Sequence, residues 1–565
     1  MSSPIRPVVK RIRVLFLGGL LISFAYSMQL QRHRQIEVPP PAPPAPVEAG
    51  ADAATLNLKI VERGSDIPVS ATVSVNGGAV EGEEAYLEHS LRRSANRHKG
   101  PIRFRPLNYY FYTDGTLSLK VPPGRCTVEV RKGYEYVPSH RTFELDPGQV
   151  LDASVTLSRW IDMAALGWYS GDTHIHFDRT GTNDDSLLTL TSARDIRYAF
   201  SLSMNTRGYS LGGAFESWHQ AHGLGDGSIR NRGPYYLTSG QEYRTRTLGH
   251  VTILMAPDYV PGAGHTPNTD RGPSLGVIGD QARELGGVIG LNHGGYTRLE
   301  ADSLALSGKM DFLELLQFGG YRGLGLDGWY DFLNLGYRWP MAGASDYPAT
   351  RELGDCITYV RASEPPTPQG FIEGLLRGES FATSGPMLLV TVNGKQPGES
   401  ILANEKTSLD LQVEIRVSSP LYPVRYVDLI RNGRVVSRDF SAEGRSHWEL
   451  SRRIEASSSG WVAVRAYSDA GTEAHTNPVY VYFDGKLPFD DDACGQILAR
   501  LDSSLRAIPA ESVVARVRKL RDRLARYRDT GNPQGLALPS IAQIAEADGN
   551  RSTARQAAVT GAASR

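Results

Sequence analysis

Apolar and polar residues alternate with period two in several separate stretches of this chain, and the stretches fall into blocks. LNLKIVE, ATVSVNG, GTLSLKVPPGRCTVEVRKG and RTFELDPGQVLDASVTL lie between residues 55 and 157, broken by Gly, Pro and Asn. Period two turns one side of a strand to a core and the other to water. The block predicts a small antiparallel sandwich, with Val121-Pro122-Pro123-Gly124 turning between two strands. From 160 to 390 the pattern changes. Short apolar runs (YAFSLSM, YYLTS, HVTILM, GVIGLN, DFLELLQF, WPMAGAS, CITYV) alternate with amphipathic segments such as SLGVIGDQARELGG and TPQGFIEGLLRG. Thr367 before Pro368 marks a helix start. Alternating β and α predict an α/β barrel or a doubly wound sheet. Strand alternation returns from 400 to 483 in LDLQVEIRV, YVDLIRNGRVV, GWVAVRAYS and PVYVYF, a second sandwich with Asn432-Gly433 at the centre of a hairpin turn. Val513, Val517, Leu520, Leu524 and Tyr527 then recur at 4-3-4-3 spacing, with seven basic residues interleaved from Arg516 to Arg528. That spacing predicts a helix docked on its own protein by the apolar stripe, its basic face in water.

The N-terminus has a different signature. Arg6, Lys10, Arg11 and Arg13 precede an uncharged apolar run over residues 14–28. The run is short of the roughly 20 residues that span a bilayer. Ala25-Tyr26-Ser27 supplies small residues for a cleavage site. An export signal is favoured over an uncleaved anchor, and both place the body outside the cytoplasm. The following VPPPAPPAPVEAG is a stiff, extended spacer. The division is then a targeting or anchor segment over 1–30, a Pro-rich linker over 31–54, sandwich over 55–158, α/β unit over 159–390, sandwich over 391–486, helical segment over 487–530 and disordered tail over 531–565.

Composition narrows the function. With 40% hydrophobic and 22% charged residues the chain is neither wholly disordered nor a polytopic membrane protein. Lys plus Arg and Asp plus Glu are 61 each, so no net charge draws the chain to nucleic acid. Three distant cysteines (Cys126, Cys356, Cys494) build neither a disulfide framework nor a thiolate zinc site.

The histidines and acids carry the chemistry. In GWYSGDTHIHFD, His174 and His176 stand two apart at the end of an alternating run, so a strand turns both to one side. Two imidazoles on one face can share a metal. Further donors stand at or near strand ends: Glu242, His250, His293, Glu314 and Asp346. In parallel α/β barrels the site is assembled at the C-terminal ends of the strands. His219 and His222, three apart in ESWHQAHGLGDG, read as a surface pair or as replacement ligands, and His265 as a loop residue.

GDTHIHFD, GQEY followed by GHVTIL, GVIGLNHGG, DFLELLQ and GASD, in this order, resemble the PHP (polymerase and histidinol phosphatase) metallohydrolase superfamily. GFIEGLLRGESFATSGP and SGWVAVRAYSDAGTEAHTNPVYV are similar to its carbaryl-hydrolase (CehA/McbA) branch, over roughly residues 160–485. GTLSLKVPPGRCTVEVRKGYEY resembles a transthyretin-like or carboxypeptidase-regulatory sandwich. The implied fold is multidomain: a distorted seven-stranded β/α barrel flanked by two antiparallel β-sandwiches, with short C-terminal helices. The implied cofactors are two divalent metal ions, with zinc, manganese and iron all suited to mixed His/carboxylate ligation. The resemblance assigns one metal to His174, His176, Glu242 and Asp346 and the other to Glu242, His250 and His293. Glu314 receives no metal, and Glu314→Gln is expected to keep both. At the superfamily's third-metal positions this chain has Ser203 and Met204, Tyr347, and only Asp178, Thr180, Thr182 and Asn183 where a His or Asp is usual, which implies two ions rather than three. Asp346 or Asp178 would relay the proton, and Arg207, Arg244, Arg246 and Arg298 are candidate clamps for an anionic substrate. His475 is expected to dock its sandwich against the barrel.

The expected function is an exported metal-dependent hydrolase of an ester, carbamate, amide or phosphoester. The expected partners are a small-molecule substrate and a membrane tether through the N-terminus, with no nucleic acid and no obligate protein partner. The competing reading is an envelope-associated binding module with a vestigial metal site.

Overall fold

The computed structural model describes residues 50–75, 111–177, 179, 183–204, 224–260, 272–294, 299–316, 326–347, 353–403, 407–468 and 472–549. The N-terminal segment read as an export signal, most of the Pro-rich spacer and the end of the tail lie outside the described residues, as do Asp178, Arg207, His219, His222, His265 and Arg298.

Alternation in the first block produces two four-stranded sheets around an apolar core of Leu56, Leu58, Ile60, Val73, Val128, Val130, Val155 and Leu157. The block is not wholly antiparallel as expected: Ala54–Glu62 runs parallel to Val150–Arg159. These strands are separated by the whole of the sandwich's other sheet, so no hairpin constrains their direction.

Seven strands follow one another in the central sheet: Trp168–Ile175, Tyr198–Met204, Tyr235–Arg244, His250–Leu254, Val288–Leu291, Phe312–Leu316 and Met341–Gly343. Three of the four parallel pairs are connected through a described helix: Asp184–Ala193, Ala301–Leu306 or Leu326–Asn334. His250–Leu254 is the exception, antiparallel to both neighbours. Only residues 245–249 separate it from the preceding strand, and so short a loop turns a hairpin but cannot make a parallel crossover.

Among the described residues no ladder closes the expected distorted seven-stranded barrel. Where Met341–Gly343 approaches Trp168–Ile175 there is no ladder, but a single bridge between Ile175 and Tyr347. The sheet instead continues from Trp168–Ile175 through Ile357–Arg361, Ser380–Thr383, Glu473–Thr476, Gly460–Tyr467, Val424–Arg431 and Arg434–Arg445, within a sixteen-stranded whole. Its far part packs against a three-stranded sheet of Met387–Val392, Leu409–Ser418 and His447–Ala456. The second sandwich therefore shares a sheet with the α/β unit.

Local sequence explains several details. Asn432 and Gly433 have φ of 49° and 80°, and Arg431 pairs with Arg434, as a two-residue hairpin of that composition requires. The Thr367 hydroxyl accepts the Gly370 N–H at 3.1 Å and starts the helix Pro368–Leu376. Val513, Val517, Leu520, Leu524 and Tyr527 are the buried positions of the helix Glu511–Thr530. That helix and Asp491–Ala507 cover the outer helices, where Arg500 pairs with Asp302 and Asp331. His475 accepts the Tyr330 hydroxyl at 2.6 Å and donates to the Thr476 carbonyl, linking the second sandwich to helix Leu326–Asn334. No described helix is long and apolar enough to cross a membrane.

Candidate metal centre

Six of the predicted donors meet at one end of the central sheet. His174 and His176 leave the end of Trp168–Ile175, Glu242 lies near the end of Tyr235–Arg244, and His293 and Asp346 follow Val288–Leu291 and Met341–Gly343. His250 is the first residue of its strand, and the hairpin reversal is what brings that start to the same end. His293 and Asp346 have φ of 57° and 50°, an uncommon conformation for non-glycine residues that gathers at functional sites.

The donor atoms form two groups sharing Glu242, one with His174 and His176 and the other with His250 and His293. In the first, the two Nε2 atoms are 3.1 Å apart. Asp346 Oδ1 lies 3.4 Å and 3.3 Å from them, and Glu242 Oε2 3.4 Å from His176. In the second, His250 Nδ1 and His293 Nε2 are 3.1 Å apart and stand 3.5 Å and 3.6 Å from Glu242 Oε1. Donors bound at about 2.0–2.1 Å around one tetrahedral ion stand ~3.3 Å apart. Both groups have that spacing.

Other groups fix which ring nitrogens face inward. His174 Nδ1 contacts Glu314 Oε2 at 2.7 Å and His176 Nδ1 the Leu202 carbonyl at 3.0 Å, leaving each Nε2 for the centre. His250 Nε2 contacts the Thr245 carbonyl at 3.1 Å, leaving Nδ1. Acceptors on the outer nitrogen orient ligating imidazoles in this way. Glu314, a candidate donor that the sequence reading left without a metal, is fully buried and is His174's orienting partner. Asn292 was also missed: its Nδ2 donates to Glu242 Oε1 at 3.1 Å.

Electrostatics favour cations here. Glu242 and Glu314 are fully buried, and Asp346 nearly so. Burial would raise the Glu242 pKa, but Arg244 and the surrounding imidazoles hold it well below the usual range. Burial would lower His174, yet the Glu314 and Asp346 carboxylates raise it to about 10. Burial does prevail at His250, lowered to about 3, which keeps this ring a neutral donor. Asp346 Oδ1 is buried, accepts no hydrogen bond among the described residues and faces two imidazole nitrogens. Buried carboxylates in excess and nitrogen lone pairs converging on them fit divalent cations.

Arg244 comes to the site, with Nη1 3.5 Å from Glu242 Oε2, whereas Arg246 is exposed. Ser203 and Tyr347 are buried and belong to neither donor group.

No protein-family model matches the chain, and no curated protein matches it. Among solved structures it is similar to the lesion-specific endonuclease PfuEndoQ from Pyrococcus furiosus, at 15% identity over 35% of this chain and 54% of that one, with a TM-score of 0.23. The match spans about half the length of that protein, and at this score the two chains share too little architecture for one to inform the other.

Proposed function

We propose that the chain is an exported, metal-dependent hydrolase acting on an ester, carbamate, amide or phosphoester through a two-metal centre. One observation carries the reading: four imidazoles and two carboxylates place their donor atoms at ligand spacing around a shared Glu242, with three of the rings oriented from behind. His174, His176, Glu242 and Asp346 would hold one ion, and Glu242, His250 and His293 the other. Two such ions supply Lewis acidity and an activated water near neutral pH.

The chain's own groups do the rest. Asp346, beside both first-group imidazoles, would accept a proton from the attacking water and return it to the leaving group. Arg244 presents its guanidinium beside the centre, where it holds an anionic group of the substrate. Export rests on the basic and apolar N-terminus read from the sequence.

The test is elemental analysis of protein purified under metal-replete conditions, with a panel of esters, carbamates, amides and phosphodiesters assayed with and without chelator. About two metals per chain and chelator-sensitive turnover are expected. Near-zero metal overturns the reading, and two metals without turnover on any class favours a binding module.

A further inference from the structure

The geometry points to Asp172 as the clasp that closes the open seam of the central sheet and thereby positions the first metal's ligands. This inference rests on the metal reading above. At the seam, Met341–Gly343 has no ladder to Trp168–Ile175, and side-chain bonds stand in for one. On one side Gly343 is held by the next strand, Ile357–Arg361: its N–H donates to Thr358 Oγ1 at 2.8 Å, and that hydroxyl donates back to the Gly343 carbonyl at 2.9 Å. On the other side is Asp172, fully buried, whose Oδ1 accepts the His174 N–H and the Ser345 N–H, each at 3.1 Å. One oxygen thus ties the residue that starts the His-x-His pair to the residue immediately before Asp346.

Three further features depend on that tie. The pairing of Trp168–Ile175 with Tyr198–Met204 shifts register between Gly171-Asp172 and Ile175, so a bulge falls where the Asp172 side chain captures the His174 amide. Beyond the clasp the chains meet again through the His176 N–H and the Tyr347 carbonyl at 2.7 Å. Between these two contacts Asp346 holds its uncommon positive φ, and its carboxylate reaches both first-site imidazoles. Without the Oδ1 acceptor, both amides would be left unsatisfied in a buried seam. The Asp346 loop would then separate from the His-x-His strand. The second group, on Tyr235–Arg244, His250–Leu254 and the turn after Val288–Leu291, does not use the seam. Asp172 Oδ2 makes no hydrogen bond among the described residues, so the role belongs to one acceptor oxygen rather than to the carboxylate charge.

Asp172→Ala and Asp172→Asn separate those properties, because asparagine keeps an acceptor oxygen and loses the charge. Two measurements are made on the full chain: zinc stoichiometry and affinity by competition titration, and amide exchange at His174 and Ser345 in metal-free protein. Asp172→Ala should weaken the first zinc ~10–100-fold, as expected for loss of an outer support, with the second unchanged. It should also speed exchange at both amides. Asp172→Asn should stay close to the unaltered protein in both. Wild-type zinc binding and unchanged exchange in Asp172→Ala would overturn the inference, as would an Asp172→Asn variant that behaves like alanine. If the unaltered protein binds no zinc, the metal reading falls while the exchange comparison still decides on the clasp. Should Asp172→Ala fail to fold, Asp172→Asn is read against the unaltered protein: slow exchange at His174 and Ser345 with the first zinc retained keeps the inference, and fast exchange at both amides or a first zinc weakened more than ~10-fold overturns it.

Discussion

Glu242 is the residue on which both donor groups depend. One oxygen faces His176 and the other faces His250 and His293. Glu242→Gln removes negative charge from both groups at once, so it should abolish binding of both ions and all turnover, read by elemental analysis and assay. His250→Ala should cost one ion and spare the His174 group. The structure changes the expectation for Glu314. Because its carboxylate holds the His174 ring, Glu314→Gln should weaken the first ion ~10–100-fold and leave the second in place. Equal metal affinity in Glu314→Gln and the unaltered protein would refute that role. The convergence of these donor residues was legible because metals need particular donor atoms and strand ends collect them. Glu314's role was not, since its contact with His174 spans 140 residues of sequence. Asp172 was hidden for a related reason: a buried acceptor is identified by the amides it meets.

Elements position this residue set by how they pack. Helix Pro368–Leu376 buries Phe371, Ile372 and Leu375. Phe371 stacks on Tyr198 with ring centroids 4.8 Å apart. Tyr198 begins its strand, so the aromatic plug lies at the end of the sheet opposite the ligands. The same ring leaves no room for a side chain at Gly171, where a Cβ would come within 2.3 Å of Phe371 Cζ. Phe371→Ala should therefore destabilise the protein by about 3–5 kcal/mol in denaturant unfolding while metal stoichiometry stays unchanged. Loss of metal with little loss of stability would instead tie this helix to the site. The helix was legible from its Thr-Pro start and amphipathic spacing. The reversed direction of His250–Leu254 is set by a five-residue connection, a length visible in the sequence once the strand ends are known.

At the scale of the molecule, a buried ion network joins the first sandwich to the α/β unit. Asp195, at φ 55° just after helix Asp184–Ala193, has Lys132 Nζ 3.8 Å away and Arg159 Nη1 3.6 Å away, and accepts the Tyr235 hydroxyl at 2.7 Å. Arg159 also pairs with Glu135 at 2.7 Å, and the Tyr359 hydroxyl donates to Glu135 at 3.0 Å. Burial alone would raise the Asp195 pKa, but Lys132 and Arg159 outweigh it and hold it below 3.8. A carboxylate with a depressed folded pKa contributes stability that is complete above its ordinary value and is lost as pH falls through the folded one. Asp195→Asn should thus cost about 3–5 kcal/mol at neutral pH, because the buried Lys132 loses its counter-charge and Arg159 is left with Glu135 and Glu62 alone. The gap between variant and unaltered protein should close in acid, below pH 3.8, as the native carboxylate takes up its proton. A gap independent of pH in denaturant titrations would remove the charge from the explanation. The sequence by itself determined the order of β, α/β and β blocks, the capped helices, the Asn-Gly hairpin and the identity of the donor residues, because period, turn chemistry and ligand type act within a few positions of the chain. The tertiary structure alone decided that no ladder closes the barrel among the described residues, that the second sandwich shares its sheet, and which buried groups hold the donor residues in place. Those outcomes depend on hydrogen bonds and charges meeting across strands far apart in sequence, and no local pattern encodes them.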